Sequence, residues 1–294
     1  MPSSGPGIIR GNKFLPCARR AAPKGEAMQI TFIGGGNMAA AIIGGLVREG
    51  GHQIRVIERT EARCAQLRSE YGVEASTAQP EAFGPNEVVV LAVKPQQLKE
   101  VCVELAPRLQ GALTVSIAAG VRVAALSRWL GSERIVRVMP NTPAMVGKGI
   151  SGVYAPPGVS VADAASAADV MRAVGEVVAL AEEGGIDDIT CVSGSGPAYV
   201  FYFMEAMIAA AKQAGFDPMT ARKLVVGTFE GAVALAAATD TEVGTLRANV
   251  TSKGGTTERA IARFDAEGVR EAIVAGAMDC RDRSVEMGET LSRD

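Results

Sequence analysis

Near the C-terminus the chain reads "NVTSKGGTTE", from Asn249 to Glu258. Four hydroxyl side chains and two adjacent glycines stand just before a run that reads as helix, and only Val250 among them is apolar enough for a core. Hydroxyls and bare backbone amides at a helix start make a concave set of donors suited to a carboxylate. An ordinary helix cap needs one such hydroxyl. Four with a double glycine point to a ligand.

A second constellation lies near the other end. Gly34, Gly36 and Ala39 fill a G-x-G-x-x-A fingerprint between a β-rich run, Gln29–Ile33, and apolar residues at helical spacing: Met38, Ile42, Ile43, Leu46 and Val47. The first glycine permits a tight turn, the second lets backbone approach a pyrophosphate, and the small third residue lets the helix pack on the strand. The helix N-terminus, with Asn37 and Met38 in its first turn, then offers free N–H groups and a positive dipole end to the phosphates. After the next strand, Ile54–Ile57, Glu58 stands where a carboxylate accepts bonds from a ribose 2′-hydroxyl, which favours NAD. Arg59 and Arg63 would pair with a 2′-phosphate, which favours NADP. As solvated charges at a strand end, all three would decide nothing; the reading leans to NADPH and leaves NADH open.

Other chemistries find little material. Ser–His catalysis or a His-rich metal site would have to use His52, the single histidine, which lies in the turn "EGGHQ". "VSGSGP" is no nucleophile elbow, since Ser195 has Ser193 where glycine is required; Ser193 reads instead as a helix cap with Pro197 in the first turn. The five cysteines are scattered without metal-ligand spacing, so no metal is expected and reduced thiols in a cytoplasmic setting are the reading. A net charge of −2 argues against nucleic acid as a partner, and no apolar run reaches membrane-spanning length.

The elements that must position these residues divide the 294-residue chain. Residues 1–27 are rich in Pro, Gly and Arg and lack periodicity; they read as a disordered leader or an upstream-start extension, with Met28 as the natural first residue. From 28 to 185 strands and helices alternate: "EVVVLAVKP", "ALTVSIAAG" and "RIVRVMPNTP" follow the fingerprint, and "SGVYA" and "EVVALAEE" could extend the sheet. This is a doubly wound, Rossmann-like α/β domain. Beyond the break "EEGGIDD", residues 186–294 are all helical. The helix carrying Tyr199, Val200, Phe201, Phe203, Met204, Met207 and Ile208 is apolar on nearly every side and must be buried. A second starts at Asp217-Pro218. So much apolar helix points to burial against a second subunit, hence a homodimer or higher homo-oligomer.

Taken together, "FIGGGNMAAAIIGGL", "AVKPQ", "SIAAGV", "RVMPNTP", "VSGSGPAY" and "VTSKGGTTE" closely resemble pyrroline-5-carboxylate reductase, over essentially the whole chain from Met28. The resemblance implies a Rossmann domain, a helical dimerisation domain, and NADPH- or NADH-dependent reduction of the cyclic imino acid 1-pyrroline-5-carboxylate to proline. It assigns the substrate carboxylate to Ser252, Gly254, Gly255 and Thr256, the ring nitrogen to Thr257, and a ring contact to Val250. It also places Ala92, Lys94 and Pro95 in the cofactor cleft, with Ala118, Ala119, Gly120, Asn141, Thr142 and Pro143 flanking the nicotinamide; strand-end geometry independently puts ligands there. One departure is Lys253, where the family commonly has proline. The rival readings are a reductase of a related cyclic imine or hydroxy acid, for which Lys212 is the only lysine on the long helix, and a dinucleotide sensor without turnover.

Overall fold

The computed structural model describes residues 27–293. The reading of a leader over 1–27 therefore lies, but for Ala27, outside the described residues. The sheet part runs β1 (Gln29–Ile33), α1 (Asn37–Glu49), β2 (Gln53–Ile57), α2 (Glu61–Tyr71), β3 (Glu74–Ser76), β4 (Glu87–Leu91), α3 (Pro95–Leu105), β5 (Leu113–Ser116), α4 (Val123–Leu130), β6 (Ile135–Met139), β7 (Gly149–Tyr154), α5 (Val161–Arg172) and β8 (Gly175–Ala179). The helical part follows as α6 (Gly185–Ile189), a π-turn over Thr190–Gly194, α7 (Gly196–Gln213), α8 (Pro218–Ala237), α9 (Val243–Asn249), α10 (Thr256–Ala266) and α11 (Val269–Leu291).

The eight strands lie in the order β3-β2-β1-β4-β5-β6-β7-β8. Every pairing is parallel except β6 with β7. β1 pairs with β2 on one side and β4 on the other, so Ile33 stands level with Ile57 and Leu91. The chain order reverses between β1 and β4, and a ligand cleft opens at such a switch point beyond the strands' carboxyl ends. Both faces are covered. α1 and α5 bury Ile42, Ile43, Leu46 and Val170 with Ile30, Phe32 and Val56, while α3 and α4 bury Leu98, Leu105, Leu126 and Trp129 with Val89 and Leu91. This double coverage explains why β4 is apolar from Val88 to Leu91.

Several sequence expectations need adjusting. The β4 strand stops at Leu91, because Pro95 sits in the first turn of α3 and the residues between turn the chain into it. Three-residue β3 carries Glu74 and Ser76 and is too short and polar to announce itself. Ser193 does not cap α7: the chain is already helical there, and its hydroxyl donates back to the Ile189 carbonyl within the π-turn. Asp217 does cap α8, accepting from the amides of Met219 and Thr220. α9 was not anticipated.

No residue of α7 is buried within one chain; Phe201 is 59% and Tyr202 72% exposed. An apolar helix left bare needs another surface to cover it. Among the described residues no helix is long and apolar enough to cross a membrane, and no group of three or more His, Cys, Asp or Glu is placed to hold a metal.

Candidate active site

The cleft beyond β1 and β4 is shaped by glycine. Gly34 adopts φ +100°, and a β-carbon there would stand 2.8 Å from the Ala92 carbonyl oxygen, so the turn admits only a hydrogen. Backbone bonds Gly34 N to Ile57 O and Ala92 N to Ile33 O lock it between its neighbours. Gly36 is the extended N-cap of α1, supplies no capping side chain, and has open space where a β-carbon would be. The first-turn amides of Asn37 and Met38 thus lack both an intrahelical partner and a side-chain cap. Ala39 is fully packed beneath them. A bare cradle ending in a helix dipole fits a dinucleotide pyrophosphate.

The adenosine side is more committed than the sequence implied. Glu58 accepts from Gly35 N at 2.8 Å and from Arg59 N at 2.8 Å, so its carboxylate braces the glycine turn. Arg63 donates to the Gly35 carbonyl at 2.7 Å and to Gln66. Among the described residues the exposed Arg59 guanidinium is left without a partner.

Across the cleft, exposed Lys94 is the extended N-cap of α3 and Pro95 begins that helix. Ala118 is buried and Ala119 half-buried in the loop after β5; Gly120, at φ +74°, turns its α-carbon toward Met287 and Leu291 of α11. Asn141 is buried, and its amide joins two parts of the molecule: Nδ2 donates to the Ser193 carbonyl at 3.0 Å, while Oδ1 accepts from Ile150 N at 2.9 Å. Thr142, exposed, and Pro143 open the 3-10 turn that follows.

In the hydroxyl–glycine loop, Gly255 is the N-cap of α10, and Thr256 and Thr257 fill its first turn, where amides have no intrahelical acceptor. Ser252 curls over Gly255, its Oγ 2.6 Å from the position a β-carbon would take. Two amides are already engaged: Gly255 N donates to Ser252 O, and Gly254 N donates to Glu258 Oε2 at 2.6 Å. Val250, Ser252, Thr256 and Thr257 are all exposed, and α10 packs chiefly on α11.

Sequence reading passed over a cluster of buried charge. Arg137, 2% exposed in the middle of β6, pairs with Glu183 at 2.6 Å; Arg122 pairs with Asp187, 2% exposed, at 2.8 Å. Burial pulls the Arg137 guanidinium below the ordinary arginine range, and Glu183 opposes that. The available signal was one arginine at the centre of the apolar run "RIVRVM". Nearby, burial pushes the Tyr199 phenol up to about 12, beside the pair Cys280 Sγ and Ser195 Oγ at 3.2 Å.

Comparison with known proteins now applies. A model described as pyrroline-5-carboxylate reductase dimerisation matches residues 183–287, and one described as NADP oxidoreductase, coenzyme F420-dependent, matches 29–120. Pyrroline-5-carboxylate reductase of Pseudomonas aeruginosa is 44% identical over 270 residues, covering 90% of this chain and 98% of that protein. The chain belongs to the pyrroline-5-carboxylate reductase family. The Vibrio alginolyticus member is 42% identical, covering 90% and 99%. Among solved structures, the reductase from Coxiella burnetii matches with TM-score 0.82 at 39% identity, over 89% of this chain and 99% of that one. The Plasmodium falciparum pyrroline carboxylate reductase, solved with NADP bound, matches with TM-score 0.79 at 26% identity, over 90% and 99%. Membership in this family accounts for the Rossmann-like sheet, NAD(P)H as cofactor, and a C-terminal helical region that builds a homo-oligomer.

Proposed function

We propose that this protein reduces 1-pyrroline-5-carboxylate to L-proline with NADPH or NADH, the last step of proline synthesis. The observation that carries the reading is the intact hydroxyl–glycine loop opening α10 in a chain that also keeps the bare Gly34–Ala39 cradle. A dinucleotide sensor needs only the second. A hydroxy-acid dehydrogenase of similar build places a lysine on its long helix, whereas Lys212 falls in the last turn of α7.

The cofactor, held by Gly34–Ala39 with Ala92, Lys94 and Pro95 across the cleft, supplies a hydride. The protein's own task is binding and orientation. Ser252 Oγ and the first-turn amides of Thr256 and Thr257 hold the substrate carboxylate. Gly254 and Gly255 shape the turn that presents them. Val250 lies against the ring, and Thr257 Oγ bonds its nitrogen. A protonated imine carbon is already electrophilic; the hydride adds there, the C=N π electrons become the nitrogen lone pair, and the protonated ring nitrogen becomes the secondary amine. This needs no histidine, only two rings held face to face.

The test is nicotinamide oxidation with pyrroline-5-carboxylate, set against pyrroline-2-carboxylate and a 2-keto acid. Preferred turnover of the first is expected. Turnover of the keto acid alone, or tight cofactor binding with no turnover at all, would overturn the reading.

A further inference from the structure

Four charged residues, Arg137 and Asp187 buried and Arg122 and Glu183 half-buried, form a connection between the sheet and the helical part. Asp187 of α6, 2% exposed, binds the Arg122 guanidinium through Oδ2 and accepts from Ser284 Oγ of α11 through Oδ1 at 2.6 Å. Glu183 accepts from the Val123 amide at 2.7 Å, capping α4, and from Arg137. The backbone amide of Arg122 donates to Ser292 Oγ at 2.9 Å. Gly288 of α11 leaves room for the Arg122 side chain: a β-carbon there would stand 2.6 Å from its Nε.

Four of these contacts, those of the Arg122 side chain with Asp187 and Gly288, of the Arg122 amide with Ser292 and of the Val123 amide with Glu183, fall on the end of one stretch, the loop from Ile117 to Val123. Its near end, Ala118–Gly120, is the part assigned above to the nicotinamide, and Gly120 rests on α11. α11 in turn supports α10, whose first turn carries the substrate loop. One helix therefore backs the loop assigned to the nicotinamide and, in the same chain, the helix that presents a substrate loop. Paired buried charges contribute little net stability and a defined geometry, and geometry is what hydride transfer between two bound rings requires.

We propose that Arg122 and Asp187 are positioning residues that set the Ala118–Gly120 loop against α11, and thereby the approach of the nicotinamide to the substrate. The proposal rests on the reductase reading for its chemistry but not for its mechanics. Loss of the pair should impair the transfer step and leave both binding steps intact, since neither side chain is placed on either ligand.

Two variants of the full-length protein test it. Asp187→Asn removes the charge and keeps an acceptor for Ser284. Gly288→Ala keeps every charge and displaces the Arg122 guanidinium, which covers the case in which Asp187→Asn fails to fold. Since a 1 Å misplacement costs on the order of a hundredfold in rate, a fall in kcat of at least about tenfold is expected. Both KM values should stay within about twofold of wild type, and the isotope effect on kcat with deuterated nicotinamide should rise. Independently, in the cofactor-free protein, hydrogen exchange of the amides from 117 to 123 should quicken about tenfold. Unchanged exchange in Gly288→Ala overturns the proposal, as does faster exchange with kcat intact or a loss expressed only in KM. If the wild type leaves pyrroline-5-carboxylate untouched, the reductase reading fails instead, and exchange still decides whether the pair holds the loop.

Discussion

At the scale of single residues the two ends of the site call for different side chains. Thr257 is exposed in the first turn of α10 and is the only group assigned to the ring nitrogen. Thr257→Ala should lower kcat about tenfold to a hundredfold, the equivalent of one hydrogen bond to a charged group at about 1.5–3 kcal/mol, with the Kd for NADPH unchanged. Steady-state kinetics and a fluorescence titration of the cofactor check the two halves; unaltered kcat removes Thr257 from the mechanism. At the adenosine end, Glu58 and Arg63 are spent on the Gly35 backbone, which leaves Arg59 to meet a 2′-phosphate. Arg59→Ala should therefore raise KM for NADPH about tenfold and hardly alter KM for NADH, a charge-assisted pair being worth about 1.5–3 kcal/mol. Equal effects on the two cofactors would show that this guanidinium does not read the phosphate.

Elements decide where those residues stand, and here the glycine turn after β1 is the most constrained. Gly34→Ala forces a β-carbon against the Ala92 carbonyl at φ +100°. A strained backbone of this kind costs about 1–3 kcal/mol, so chemical unfolding should show that loss and the Kd for NADPH should rise with it. A variant as stable and as tight-binding as wild type would mean the turn is not held as described. Much at this scale was legible beforehand. The fingerprint between Gln29–Ile33 and Met38–Val47 fixes strand, turn and helix by local rules, and Asp217-Pro218 announces α8 through a side chain bonding its own neighbours. What escaped depends on distant partners. Nothing local distinguishes Ser193 as a cap from Ser193 in a π-turn; the difference is the Asn141 amide reaching its carbonyl from the sheet. Arg122, Asp187 and Glu183 give no local signal, because the paired residues are separated by 46–65 positions. The hydroxyl–glycine loop was readable as a helix start; that Glu258 would occupy the Gly254 amide was not.

The whole molecule raises the question of which chain supplies the loop. Within one chain α9 and α10, the helices flanking Val250–Gly255, bury no residue, and α10 rests chiefly on α11 rather than on the sheet. The apolar side of α7, with Val200, Phe201 and Met207 41%, 59% and 45% exposed, likewise waits for a cover. A second copy would satisfy both at once: a two-fold pairing that covers the helices could carry each loop to the neighbouring cleft, as a self-complementary interface allows. Complementation tests this without a new structure. Gly34→Ala disables one half of a site and Thr257→Ala the other. If each site joins the cradle of one chain to the loop of its partner, unfolding and refolding the two impaired variants together makes about half the dimers mixed, each with one wholly intact site. The assay is run at an NADPH concentration too low to saturate Gly34→Ala. Activity should then recover to roughly a quarter of wild type. A site built within one chain predicts no recovery, because every cradle–loop pair would then carry one of the two lesions.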